Sequence, residues 1–64
     1  MGLTSEKPDW VIEIVNTHKT ISDAHKARRA LYLERGADQD FMVVDVRLVD
    51  WIHTTDPWAV VRVR

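Results

Sequence analysis

The side chains best suited to catalytic chemistry lie close together at residues 22–25. Ser22, Asp23 and His25 are the residue types of a nucleophile, an acid and a base. A catalytic triad needs these groups to converge on one pocket from different elements. Residues this close at the start of a helix point in different directions around its axis, and Ser22 and Asp23 are types that cap a helix. We therefore predict no catalytic site here and no enzymatic activity.

Metal and cofactor motifs are also missing from the sequence. The chain has no cysteine, so His18, His25 and His53 are its only soft metal ligands. A helical zinc pair needs a spacing of about three or four residues, whereas a predicted helix start separates His18 from His25. The only glycines, Gly2 and Gly36, form no phosphate-binding loop. We expect neither a metal nor a cofactor.

A group of cations with one aromatic residue falls on the predicted helix. On a helical wheel, His25, Arg29 and Tyr32 share the exposed side, and Arg28 lies beside them. Cations next to an aromatic ring can bind phosphates and stack on bases. The predicted anion or nucleic-acid contacts, with two arginines of the last strand, are His25, Lys26, Arg28, Arg29, Tyr32, Arg62 and Arg64. A solvated helix face explains the same pattern, and an acidic protein surface would fit it equally.

Composition limits the classes of function. Among 64 residues there are nine basic and ten acidic ones, a formal net charge of −1, whereas a small nucleic-acid-binding domain is normally clearly basic. A hydrophobic fraction of 45% with three tryptophans is too high for a disordered chain. Its short apolar runs cannot span a membrane, and the N-terminus lacks the pattern of a secretory signal. We expect a cytoplasmic location.

The elements that must position these side chains follow from periodicity and capping. The predicted segments are a flexible lead-in over residues 1–8 and, within a single small domain of residues 9–64, a strand over 9–16, a helix over 20–35, and strands over 40–52 and 58–64. Thr20 or Ser22 is the expected N-cap, and Gly36 stands where a helix C-terminus favours glycine.

This order predicts an α+β fold of the type β-α-β-β, a three-stranded mixed sheet with one helix packed on one face. Strands joined through a helix should be parallel, with a right-handed crossover, and the short gap before the last strand suits an antiparallel hairpin. The order of the strands in the sheet stays open.

One face of the predicted sheet has no cover. The helix is expected on the side of Trp10, Ile12, Ile14, Met42, Val44, Val46 and Leu48. The opposite side carries the predicted protein interface: Val11, Val15, Val43, Asp45, Arg47, Val49, Trp51, Trp58 and Val60. An apolar patch rimmed by charge is typical of an interaction surface, for a second copy or for a different protein. Valines chosen for strand propensity and tryptophans folded over loop ends would explain the same residues. A domain of about 60 residues buries only about 60% of its unfolded surface, so self-association would stabilise it.

These features predict a small non-enzymatic protein-interaction module, a homodimer that acts as an accessory factor or inhibitor of another protein. Small proteins without site chemistry are often encoded by phages or mobile elements, and we expect such a source. A nucleic-acid-binding protein that uses the basic helix face is the alternative. A small enzyme would need a pocket at a subunit interface that contains His53 or Asp45.

Overall fold

The structure, a computed structural model, describes residues 6–36 and 38–64. The elements follow the chain as β1 (Val11–His18), α1 (Ile21–Arg35), β2 (Asp40–Asp45), one 3₁₀ turn (Val46–Leu48) and β3 (Trp58–Val63). The prediction of a small α+β fold with three strands and one helix is confirmed. Most of the predicted lead-in, residues 1–5, lies outside the described residues.

Helix α1 begins and ends at its capping residues. The Asp23 N–H donates a hydrogen bond of 3.1 Å to Thr20 Oγ1, so Thr20, and not Ser22, is the N-cap. At the other end Gly36 has a φ of 86°, a conformation that glycine adopts without steric cost. Its N–H donates to the Tyr32 carbonyl at 3.0 Å. Both caps satisfy backbone groups that a helix end leaves without intrahelical partners.

The sheet is antiparallel throughout, because β3 lies between β1 and β2 and pairs antiparallel with both. The predicted mixed sheet is therefore wrong. Strands β1 and β2 run in the same direction, but they are not hydrogen-bonded neighbours. The physical reason lies in β3, where Ala59, Val60 and Val61 are all fully buried. Such a run needs cover on both faces of the sheet and favours the central position.

Strand β2 ends at Asp45, well before the end predicted at residue 52. The Asp45 carboxylate accepts a hydrogen bond of 2.9 Å from the Arg47 N–H, a local bond that competes with strand continuation. The Val46 N–H then donates to the Pro57 carbonyl at 2.9 Å. Residues 46–57 leave the sheet and fold back across it, and we call them the covering segment.

The two faces of the sheet are covered by different parts of the chain. The helix face packs under α1 through a buried cluster of Ala24, Leu31, Phe41 and Val60. The second face packs under the covering segment through a buried cluster of Val11, Val44, Val46, Ile52, Ala59 and Val61. Trp51 of the covering segment meets Trp10 edge to face, with ring centroids 6.3 Å apart. The prediction that one face of the sheet has no cover is therefore wrong.

The prediction of which residues lie under the helix is wrong, although alternation in β2 separates the two faces as expected. Phe41 and Val43 pack under α1. Ile14 and Met42 both lie opposite Val61 on the second face. Alternation could not decide between the two faces, because the covering segment brings its own apolar side chains and each face contains a buried apolar cluster.

Helix α1 has 15 residues, fewer than the roughly 20 that a membrane span needs. Within the described parts of the chain, no helix combines the length and the hydrophobicity required to cross a bilayer.

Candidate functional site

The residues predicted as a protein interface do not form one open surface. Val15, Val43, Trp58 and Val60 pack in the cluster under α1. Val11, Val49 and Trp51 pack in the cluster of the second face. Asp45 and Arg47 lie at the end of β2 and bind each other. The uncovered face is thus a wrong prediction, and a role of any of these residues in binding a partner stays a prediction.

Asp45 and Arg47 form a bidentate pair that fixes the exit from β2. The Arg47 Nε and a terminal guanidinium nitrogen each donate to a different Asp45 carboxylate oxygen at 2.9 Å. This hydrogen bonding holds the pKa of Asp45 below its ordinary value and raises the pKa of Arg47. The Arg47 guanidinium also lies 5.6 Å from the centre of the Trp58 ring. These contacts give Arg47 a structural role at the turn.

Two of the predicted nucleic-acid contacts close the outer edge of β2 instead. The Phe41 N–H donates to the Tyr32 hydroxyl at 3.1 Å, and the Phe41 carbonyl accepts from Arg28 Nε at 2.8 Å. In an antiparallel ladder both backbone groups of a residue point the same way, so these are the groups that an edge strand exposes. Arg28 also lies 5.1 Å from the centre of the Tyr32 ring. Tyr32 is therefore turned toward β2, not toward solvent as predicted.

The other edge strand, β1, has a different character. It is the longest strand, with eight residues, and it contains no lysine, arginine or proline. Its exposed apolar side chains are Ile12 and Ile14, with Trp10 just before the strand. Its one carboxylate, Glu13, binds Arg35 at 2.9 Å and lies 3.6 Å from Arg62. The charge of Glu13 is thus compensated within the chain, and the edge is apolar and nearly neutral.

The residues predicted as anion or nucleic-acid contacts, apart from Tyr32, lie in two separate places. An open depression of about 450 Å³ is lined by Ser22, His25, Lys26, Arg28 and Arg29 of α1. Arg62 and Arg64 line a different depression of about 200 Å³ at the end of the sheet, beside Ile12, Asp38 and Asp40. Arg62 is further held there by Gln39 at 3.3 Å. The structure therefore unites the helical cations but does not add the two arginines of β3 to them.

The histidines belong to no shared site. His18 contacts the Asn16 side chain at 2.7 Å, while His25 and His53 are exposed. In the described residues no three His, Cys, Asp or Glu side chains are arranged to hold a metal ion.

Sequence reasoning missed Trp10, Ile12 and Ile14 as surface residues because it placed them under the helix. The alternation of β1 alone could not reveal their exposure, which follows from the position of β1 at the sheet edge. Comparison with known protein families, curated proteins and solved structures found no match for this chain. Function has to be inferred from the surfaces themselves.

Proposed function

We propose that this chain is a small protein-interaction module that self-associates through β1. The edge of β1 that pairs with no other strand in the described residues would pair with β1 of a second copy. The observation that carries the proposal is the difference between the two edges of the sheet. On β2, the backbone N–H and carbonyl of Phe41 form hydrogen bonds with side chains of α1. In the part of the chain that the structure describes, no side chain bonds to the backbone of β1, and Ile12 and Ile14 are exposed beside it. An unpaired, apolar strand edge is a template for pairing with another strand.

The charge and composition of β1 support this pairing. Natural edge strands are commonly protected by lysine, proline or an uncompensated charge, and β1 has neither lysine nor proline. Glu13 would repel its own copy, but Arg35 and Arg62 compensate its charge. Two-fold symmetry makes β1 antiparallel to its copy. The two sheets would join into one, with the order β2-β3-β1 continued by β1-β3-β2 of the second copy.

Two bulges in β1, between Val11 and Glu13 and between Ile14 and Asn16, limit the length of such a ladder. Bulges twist an edge strand and disfavour long intermolecular pairing. A short ladder gives a reversible dimer, in which another protein with a free strand can replace the second copy. Action as an accessory factor or inhibitor of such a protein is consistent with this exchange.

The test is the molar mass of the full chain by light scattering and sedimentation over a range of concentrations. Ile14→Lys places a charge on the β1 edge. Met42→Lys is the matched control, since both residues lie opposite Val61 and their exposed fractions are 37% and 40%. We expect a dimer for the wild type and for Met42→Lys, and a folded monomer for Ile14→Lys. A wild-type chain that stays monomeric, or two variants that behave alike, would refute the proposal.

A further inference from the structure

A line of exposed residues runs along the first half of α1. Ser22, His25, Lys26 and Arg29 follow the spacing i, i+3, i+4, i+7, which places them on one side of a helix. All four are exposed and line the same open depression. We call these four residues the basic stripe. It is independent of the β1 edge, because it involves no residue of that strand.

Among the described residues, no ion pair compensates the charge of the basic stripe. In the described residues the ion pairs involve Arg35, Arg47 and Arg62, and no carboxylate pairs with Lys26 or Arg29. Of the acidic residues of α1, Asp23 lies three residues before Lys26 at the edge of the stripe but forms no ion pair with it, and Glu34 lies more than a turn beyond Arg29. The stripe therefore presents positive charge to solvent although the whole chain has a net charge of −1.

Arg28 adds a fixed guanidinium to the wall of this depression. Its Nε is held by the Phe41 carbonyl at 2.8 Å, and the group lies over the Tyr32 ring. Because the partner is a neutral carbonyl, the guanidinium keeps its positive charge, and its position is fixed in the absence of a ligand. A preorganised side chain loses less conformational entropy on binding than a free one. Lys26 and Arg29 can then close on an anion beside it.

We propose that the basic stripe with Arg28 binds two or three neighbouring phosphate groups of a nucleic-acid strand without reading its bases. The seven-residue step from Ser22 to Arg29 spans about 10 Å along the helix axis, enough for more than one phosphate. The cations suit phosphate oxygens, and the Ser22 hydroxyl can donate to one. A small polyphosphate is the other source of this chemistry.

The test is a titration of the ¹⁵N-labelled chain at low salt, followed by NMR, with a short single-stranded oligonucleotide and separately with inorganic tripolyphosphate. We expect shifts of the backbone amides of residues 22–29. Three phosphate contacts give a slope of log K against log salt of about −2. Arg29→Ala should weaken binding about tenfold and reduce the slope by about 0.7. Arg64→Ala is the matched control and should change neither quantity.

Tighter binding of the oligonucleotide than of tripolyphosphate supports a nucleic-acid ligand. Equal or tighter binding of tripolyphosphate supports phosphate chemistry but overturns the nucleic-acid assignment. Shifts centred on Arg62 and Arg64, equal effects of the two alanine variants, or no binding of either ligand overturn the proposal. Because Arg29 lies on α1, Arg29→Ala should leave the molar mass unchanged, so failure of this proposal is distinguishable from failure of dimerisation.

Discussion

Replacement of Tyr32 by phenylalanine removes one oxygen atom and tests how the edge of β2 is closed. The Tyr32 ring meets the Phe41 ring edge to face, with centroids 5.3 Å apart, and the substitution keeps this packing. The hydroxyl alone is lost. It accepts the Phe41 N–H at 3.1 Å and contacts an Arg28 guanidinium nitrogen at 3.5 Å. The first contact has the geometry of a hydrogen bond, and the second is too long to contribute much.

The expected cost follows from the Phe41 N–H. A hydrogen bond contributes about 0.5–1.5 kcal/mol net, and a buried donor left without a partner costs about 1–3 kcal/mol. Tyr32 is half-buried, so water can reach the site and the lower range applies. We expect a loss of about 1 kcal/mol in the free energy of unfolding. For a domain of 60–100 residues this corresponds to a fall of about 4–8 °C in Tm.

The assay is thermal and urea unfolding by circular dichroism, together with hydrogen exchange of the Phe41 amide. Leu33→Ala is the control, because Leu33 is on the same helix and 83% exposed, and it should leave Tm nearly unchanged. The Phe41 amide should exchange faster in Tyr32→Phe than in the wild type. Unchanged Tm and unchanged exchange would show that the hydroxyl does not hold this strand edge, and the contrast between β1 and β2 would lose its basis.

Two further predictions concern the core and the turn after β2. Val60→Ala removes two methyl groups from a fully buried side chain under α1. It should lower the free energy of unfolding, measured in urea, by about 2 kcal/mol. The same truncation of half-buried Val63 should cost clearly less, and equal losses would contradict the packing. Arg47→Ala should raise the pKa of Asp45, measured by NMR titration, because the Arg47 hydrogen bond lowers it. A carboxyl whose pKa is lowered by folding stabilises the fold above its unfolded pKa and loses this contribution as the pH falls through its folded pKa. The wild type should therefore lose more stability than Arg47→Ala on acidification below about pH 4. Parallel profiles of stability against pH would contradict this role of the pair.

Local sequence was sufficient where the interactions are local. The bounds of α1 follow from Thr20 and Gly36, whose bonds reach only three or four residues along the chain. The alternation of Phe41 and Met42 separates the two faces of β2 correctly. The cations of the basic stripe were also predicted together, because helical spacing alone places Lys26 and Arg29 on one side.

Long-range interactions decided the rest. The insertion of β3 between β1 and β2 sets which strands are edges, and no local pattern encodes that order. Arg28 and Tyr32 were predicted as exposed ligand contacts, but their partner Phe41 lies in another element, so their role depends on how α1 docks. Arg62 was predicted with the helical cations, yet register places it beside Glu13.

The sequence by itself therefore determined one helix, three strands, two sets of alternating side chains and a cluster of cations on α1. Only the tertiary structure decided that both sheet faces are covered, because the covering segment leaves β2 at Asp45 and brings Val46 and Ile52 over the second face. The tertiary structure also decided that Ile12 and Ile14 are exposed on an edge strand, and not buried under α1. Burial depends on which distant segments meet, and periodicity reports only that a side chain is suited to being buried.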